Sequence, residues 1–178
     1  MEQKNMKINF TDLTFKPMAI DSIPLLLELQ EDAFAHAGDS TDFLRRNTYE
    51  TLAPCFDGDS LVLGAFHGDL LVAFGILYCA GDTKENLAHD LDEVKDITEN
   101  ANVKLVIVRY EYRGNGLQKE LIRRLSVHAE EKGYKWLSST VSPENPWSMN
   151  NLIANGFTEA KVLVKYGGLK RILYAKKI

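Results

Sequence analysis

The sequence predicts an α/β fold in one domain, built on a mixed sheet. Three observations carry that prediction. Apolar, β-like runs (LVLGAF, LLVAFGILYC, VKLVIV) are bounded by turn residues. A segment from Leu117 repeats its leucines at helical spacing. Strand-like and helix-like stretches then alternate to the C-terminus.

The elements follow in order. Asp21 or Ser22 can cap a first helix, with Pro24 in its first turn and Leu26, Leu27, Gln30 and Phe34 on its apolar face. Asp39, Ser40 or Thr41 can cap a second, running through Phe43, Leu44 and Tyr49 and ending before Pro54. LVLGAF and LLVAFGILYC form a hairpin about His67-Gly68-Asp69. VKLVIV, Val103 to Val108, reads as a central strand. Leu117, Leu121 and Leu125, joined by Ile122 and Ala129, mark the clearest helix, which Gly133 stops. A strand at Trp136 to Val141 and a short helix at Trp147 to Asn155, ended by Gly156, come next. Two strands near 160–165 and 171–176 turn at Gly167-Gly168.

The chain has 178 residues, close to the size of one domain. With 45% hydrophobic and 26% charged residues it is neither a disordered tail nor a disulfide scaffold. A net charge of −4 advertises no general attraction to nucleic acid or to a membrane. MEQKNMKINF has no apolar run of the kind a secretion signal needs, and Leu70 to Cys79 is too short to span a bilayer. Cys55 and Cys79 are too few for a disulfide framework. His36, His67, His89 and His128 have no metal-ligand spacing, so no metal is expected. Together these give a cytoplasmic protein as the expectation. The negative charge is local. Asp82 to Glu99 holds seven acids and two lysines, a net −5, which leaves the rest at +1. An acidic insert at about 80–101 therefore sits on a nearly neutral body. It reads as a solvated helix or loop, or as a lip that attracts a cation.

Chemistry concentrates in VIVRYEYRGNGLQKELI. A strand ends at Val108, and Arg113-Gly114-Asn115-Gly116 then opens a helix. A helix start offers unpaired N–H groups and partial positive charge, and glycines admit an anion close to the backbone. Arg113 adds a cation that can pair two-pronged with phosphate. The sum is a diphosphate cradle. The lysine and hydroxyl of a P-loop are missing, and Lys119 stands where a dinucleotide fingerprint needs its third glycine. A glycine-rich turn without a ligand is the plain alternative.

The order Val108-x4-Arg113-x-x-Gly116 resembles motif A of the GNAT superfamily of acyl-CoA-dependent N-acyltransferases. VSPENPWSMNNLIANGF resembles that family's motif B, with Asn145, Ser148 and Gly156-Phe157. The core likeness spans Val103 to Phe157. It implies a GNAT-like fold, a mixed and mostly antiparallel sheet flanked by helices. It also implies acetyl-CoA as cosubstrate and direct transfer of acetyl to a primary amine. Under the resemblance, Val106 and Val108 pair through their backbones with the pantetheine arm, and the Val106 N–H faces the thioester carbonyl. The amides of Gly114, Asn115, Gly116, Leu117 and Gln118 hold the pyrophosphate beside Arg113, and Asn145 and Ser148 steady the far wall. The sequence departs from the pattern twice. Gln118 stands where the family usually has Gly or Ala, and Leu152 where it often has the tyrosine that protonates the leaving thiolate. No catalytic residue is assigned. Glu31, Asp82, Glu99 and Glu144 are possible bases, and no spacing favours one. Tyr166 and Tyr174 lie on the last hairpin, as core residues or as acceptor-site borders, and Trp136 and Trp147 read as packing residues. The acceptor amine is open, with a mild preference for a cation from the insert. A homodimer is open too. Two alternatives stand beside the enzyme: a non-catalytic acyl-CoA-binding or sensing protein, and an interaction module docking through the insert.

Overall fold

Gly68, at φ +59°, turns β2 (Leu61–His67) back on β3 (Leu70–Tyr78), as the hairpin predicts. The computed structural model describes residues 5–38 and 41–178. Its remaining elements are β1 (Leu13–Pro17), α1 (Ile23–Ala35), α2 (Tyr49–Leu52), β4 (Asn100–Val108), α3 (Leu117–Glu131), β5 (Trp136–Val141), α4 (Pro146–Ala154), β6 (Thr158–Lys165) and β7 (Leu169–Lys177). The seven strands form one sheet in the order β1-β2-β3-β4-β5-β7-β6. Every pairing is antiparallel except β4 with β5. The fold is the mixed, mostly antiparallel α/β sheet that the sequence predicts, and β4 is central. β1, which the sequence reading did not anticipate, extends the hairpin by pairing with β2.

Helices cover both faces. The leucine repeat puts Leu117, Leu121, Ile122, Leu125 and Ala129 of α3 into one core with Leu152 and Phe157. Gly75 makes this contact close. A Cβ there would stand 3.1 Å from Leu125 Cδ1, so α3 rests almost on the backbone of β3. Ile23, Leu26 and Leu29 of α1 pack with Leu52 and Phe74 on the other face.

On α3, Glu120 accepts from Arg123 at 2.9 and 2.8 Å and from Arg124 at 2.8 Å. The Arg123 bonds hold its carboxyl below the usual range, with burial pulling the other way. A depressed carboxylate stabilises above its unfolded pKa, and that contribution fades as pH falls through the lower folded value. Glu120→Gln is therefore expected to cost about 1 kcal/mol near pH 7. In denaturant titrations at falling pH the gap to the parent should close below about pH 4, and a gap independent of pH would contradict this assignment.

The second helix is where the sequence reading fails. Its caps Asp39 and Ser40 lie outside the described residues, and the segment beyond is broken. A single 3-10 turn (Thr41–Phe43) is followed by irregular chain, then α2 and a further 3-10 turn (Ala53–Phe56) that contains Pro54. Buried Gln30 is the cause. Its Oε1 accepts from the Asn47 N–H at 2.8 Å, and its Nε2 donates to the Asn47 carbonyl at 3.1 Å. Those bonds withdraw Asn47 from any helix, and Thr48 starts a new one.

The acidic insert is not merely solvated. Leu87, Ala88, Leu91 and Val94 bury against Leu173 and Ala175 of β7. Asn86, fully buried, donates to the carbonyls of Gly81 at 2.6 Å and Ile97 at 2.7 Å, and accepts from Asn100 at 2.8 Å. Most of the acids are exposed, and two reach the β6 lysines: the half-buried Asp90 to Lys165 at 2.6 Å and Asp92 to Lys161 at 3.7 Å.

Candidate functional site

The sheet opens at its centre. Only Asn100 to Asn102 of β4 pair with β5. Ser139 Oγ still donates to the Val103 carbonyl at 2.8 Å, and Lys104 to Val108 then have no strand on that side. The β3–β4 register slips at the same place, so Lys104 has no partner on β3 either. A slip of this kind bends a strand. It turns both Lys104 and Leu105 toward the α1/α2 face, where the Lys104 ammonium donates to the Thr51 carbonyl at 2.9 Å and Leu105 packs. The Arg109 N–H donates to Val72 on β3 at 2.8 Å. Backbone groups alternate along a strand, so those of Val108 and Val106 point the other way, into the opening.

The opening forms a cleft of about 550 Å³, lined by Val103 to Val106 on one strand and Ser139 to Val141 on the other. Its α3/α4 wall is neutral and holds Gln118, Ile122, Asn145, Ser148 and Leu152. These side chains are tied together. Gln118 Nε2 donates to Ser148 Oγ at 2.9 Å, and Asn151 donates to Gln118 Oε1 at 3.0 Å. Asn145 caps α4 by accepting from the Ser148 N–H at 3.1 Å. The departure at Gln118 thus builds a bridge between α3 and α4. Leu152 is 2% exposed and belongs to the core as well as to the cleft wall.

Of the residues singled out in the sequence, Val106, Gln118, Asn145 and Ser148 meet in this cleft. Val108, Arg113, Gly114, Asn115, Gly116 and Leu117 lie beyond its end, on the open approach to α3. Gly114 and Gly116 are exposed, with φ of +78° and +77°, and a Cβ at either would find no atom nearer than 3.7 Å. The nearest atoms to those positions are Asn5 Nδ2 at 3.7 Å and Phe10 Cζ at 3.8 Å, both in ordinary contact range. Arg113 Nε donates to the Val108 carbonyl at 3.4 Å, which sets the guanidinium at the opened edge of β4. The Asn115 side chain faces away, donating to Met6 O at 2.7 Å and accepting from the Ile8 N–H at 3.3 Å. Leu117 is buried in the core. Both therefore offer an anion only their backbone amides.

The opposite wall differs in charge. Arg45, Lys84, Lys104, Lys165 and Arg171 line it, against one acid, Glu85. Glu31, Asp82, Glu99 and Glu144 are absent from the lining, and Glu31 pairs with Arg46. Of the seven insert acids Glu85 lines the cleft, beside Lys84, and Asp90 pairs with the lining Lys165. Tyr166 lines the cleft and Tyr174 is core, so each of the two readings holds for one tyrosine. Tyr166 adopts φ +55°, a left-handed conformation uncommon outside glycine, and its hydroxyl lies 2.9 Å from Thr140 Oγ1. Tyr78, which sequence reasoning passed over, also lines the cleft. Burial and then the Glu85 charge push its phenol up. Trp147, expected to pack, is 69% exposed on the first turn of α4.

No family model matches this sequence, and no curated protein matches it. Solved structures do. The ribosomal-protein-S18-alanine N-acetyltransferase from Escherichia coli superposes with TM-score 0.70 at 19% identity, over 93% of this chain and 94% of that one. A putative acetyltransferase from Salmonella typhimurium, solved with its cofactor acetyl-CoA, gives 0.68 at 16% identity, with 93% and 94% covered. An acetyltransferase of the GNAT family from Streptococcus pneumoniae gives 0.70 at 17%, with 93% and 99% covered. At these identities the likeness shows a shared fold: this chain has the GNAT fold.

Proposed function

We propose that the protein is an acetyl-CoA-dependent N-acetyltransferase that passes acetyl directly to a primary amine. One observation carries the reading. The opened edge of β4 leads out of the cleft to Val108, where Arg113 bonds its carbonyl, and a single 3-10 turn (Tyr110–Tyr112) separates that end from the exposed Gly114–Gly116 turn at the start of α3. An extended arm ending in a diphosphate fits that path, its amides laddering on Val106 and Val108 and its charge resting on the amides of residues 114–118 beside Arg113. Asn145, Ser148 and Gln118 supply the neutral polar wall along it.

Acetyl-CoA supplies an activated acyl group: the amine nitrogen forms a bond to the thioester carbon as the carbon–sulfur bond breaks, the amine losing a proton and the sulfur gaining one. The Val106 N–H is the donor for the carbonyl oxygen as its charge grows. Leu152 cannot give the sulfur its proton. A thiolate with a parent pKa near about 8.5 leaves readily and can take its proton from water. Both cysteines are free and are pushed up by burial, which supports direct transfer over a covalent enzyme intermediate. Deprotonating the amine sets the difficulty. A lysine-like amine is about one part in 2,500 neutral at pH 7, a handicap of about 4.6 kcal/mol, whereas an α-amine near pKa 7.8 is roughly a tenth neutral.

Thiol release from acetyl-CoA with a panel of amines tests the reading. Turnover with at least one amine is expected. Binding of acetyl-CoA without turnover on any amine would favour a non-catalytic acyl-CoA sensor.

A further inference from the structure

We infer that the acceptor is an anionic amine, a small molecule in which the reacting amine is accompanied by a carboxylate or a phosphate-like group. This rests on the acetyltransferase reading and adds the substrate class. The acceptor wall of the cleft carries five cations and one acid. Lys165 is neutralised by Asp90. Among the described residues no carboxylate comes within ion-pair distance of Arg45, Lys84, Lys104 or Arg171.

Arg171 decides the matter. It is 4% exposed, yet it lines the cleft. Its Nη1 donates to the Lys170 carbonyl at 2.9 Å and its Nη2 to the Asp42 carbonyl at 2.6 Å, both neutral partners. A guanidinium remains charged in proteins, and burying one is costly; the Asp42 carboxylate favours that charge only from beyond ion-pair distance, and burial is the larger effect. A substrate anion repays that cost, and the planar fork matches a carboxylate or phosphate two-pronged. Arg45 stands 5.0 Å over the Tyr166 ring, beside the same opening, and Lys104 faces it from β4. The same field repels an acceptor that is only a cation. It also favours the neutral, nucleophilic form of the amine. The mild preference for a cationic acceptor read from the insert is thereby reversed.

The test uses the full chain, acetyl-CoA and four matched sets: amino acids, their carboxamides, aminoalkylphosphonates and polyamines. An N-terminal alanyl peptide amide is added. At least one amino acid or aminoalkylphosphonate should exceed its uncharged counterpart about tenfold in kcat/KM, and the two acid sets show which anion the site prefers. Arg45→Gln, at an exposed position, should shrink that ratio several-fold through KM, and Arg171→Gln should bring it near one. Both variants should keep the parent's stabilisation by acetyl-CoA. Amides, polyamines or the peptide used as well as the acids would overturn the inference, as would an acid panel that is never turned over or an Arg45→Gln ratio equal to the parent's. If acetyl-CoA gives the parent no stabilisation, the acetyltransferase reading itself falls. A normal shift with the wrong amines condemns only the anionic acceptor.

Discussion

Gly116→Glu is expected to abolish the stabilisation that acetyl-CoA should give the parent. Ligand at a hundred times its dissociation constant contributes about 2.7 kcal/mol, which for a chain of this size raises Tm by about 5–10 °C. Gly116 is the N-cap of α3, in the left-handed region at φ +77° and exposed at the mouth of the turn. A glutamate adds bulk and negative charge where the amides of α3 would meet a diphosphate. Any side chain at this φ also strains the fold, by about 1–2 kcal/mol. Gly116→Ala carries that strain without the charge, so it should lower Tm yet keep the ligand-induced rise. The difference between the two variants in differential scanning fluorimetry isolates the anion site. Equal shifts would mean that the cradle is misassigned.

Asn86→Ala is expected to be the most damaging single change outside the hydrophobic core. The amide of Asn86 is fully buried and ties two loop carbonyls to Asn100, at the one place where β4 and β5 pair. Removing it strands buried polar groups, at about 2–4 kcal/mol and a fall in Tm of about 4–16 °C. Asp92→Ala is the control. Its carboxylate is 98% exposed, and the change should stay within about 0.5 kcal/mol. A mild Asn86→Ala would show that the insert does not lock the sheet. The same anchoring bears on the docking alternative. Deleting residues 82–99 would uncover Leu173 and Ala175 of β7, so it would weaken the fold as well as remove a surface.

Elements with strong local periodicity were legible in the sequence. The α3 leucines, the Gly68 hairpin and β5 need few distant partners to declare themselves, and each falls where the residues put it. The second helix was misread because a single buried glutamine, seventeen positions upstream, claims the backbone of Asn47. The insert is the largely solvated loop that its charge suggests, and its buried side is hidden in the sequence because the charge count dominates. Leu87, Leu91 and Val94 fall at i, i+4 and i+7, a spacing that could have signalled a buried side. β1 has too short and mixed a pattern to stand out, its burial alternating only in part.

The α3/α4 wall was largely readable, because its residues lie in two contiguous motifs. The acceptor wall was not. Arg45, Glu85, Lys104 and the Tyr166/Arg171 hairpin come from four separate parts of the chain, and only the folded sheet brings them to one opening. No spacing encodes such a set. Its charge even opposes the sign suggested by the insert, of whose acids only Glu85 lines the opening and Asp90 pairs with a lining lysine.

A crystal structure of the protein with coenzyme A tests the central claim most directly. The account expects the diphosphate oxygens within hydrogen-bond reach of the amides of residues 114–118, and the arm paired with Val106 and Val108 in the opened edge of β4. A coenzyme bound elsewhere, with that turn and that edge making no contact to it, would contradict the account.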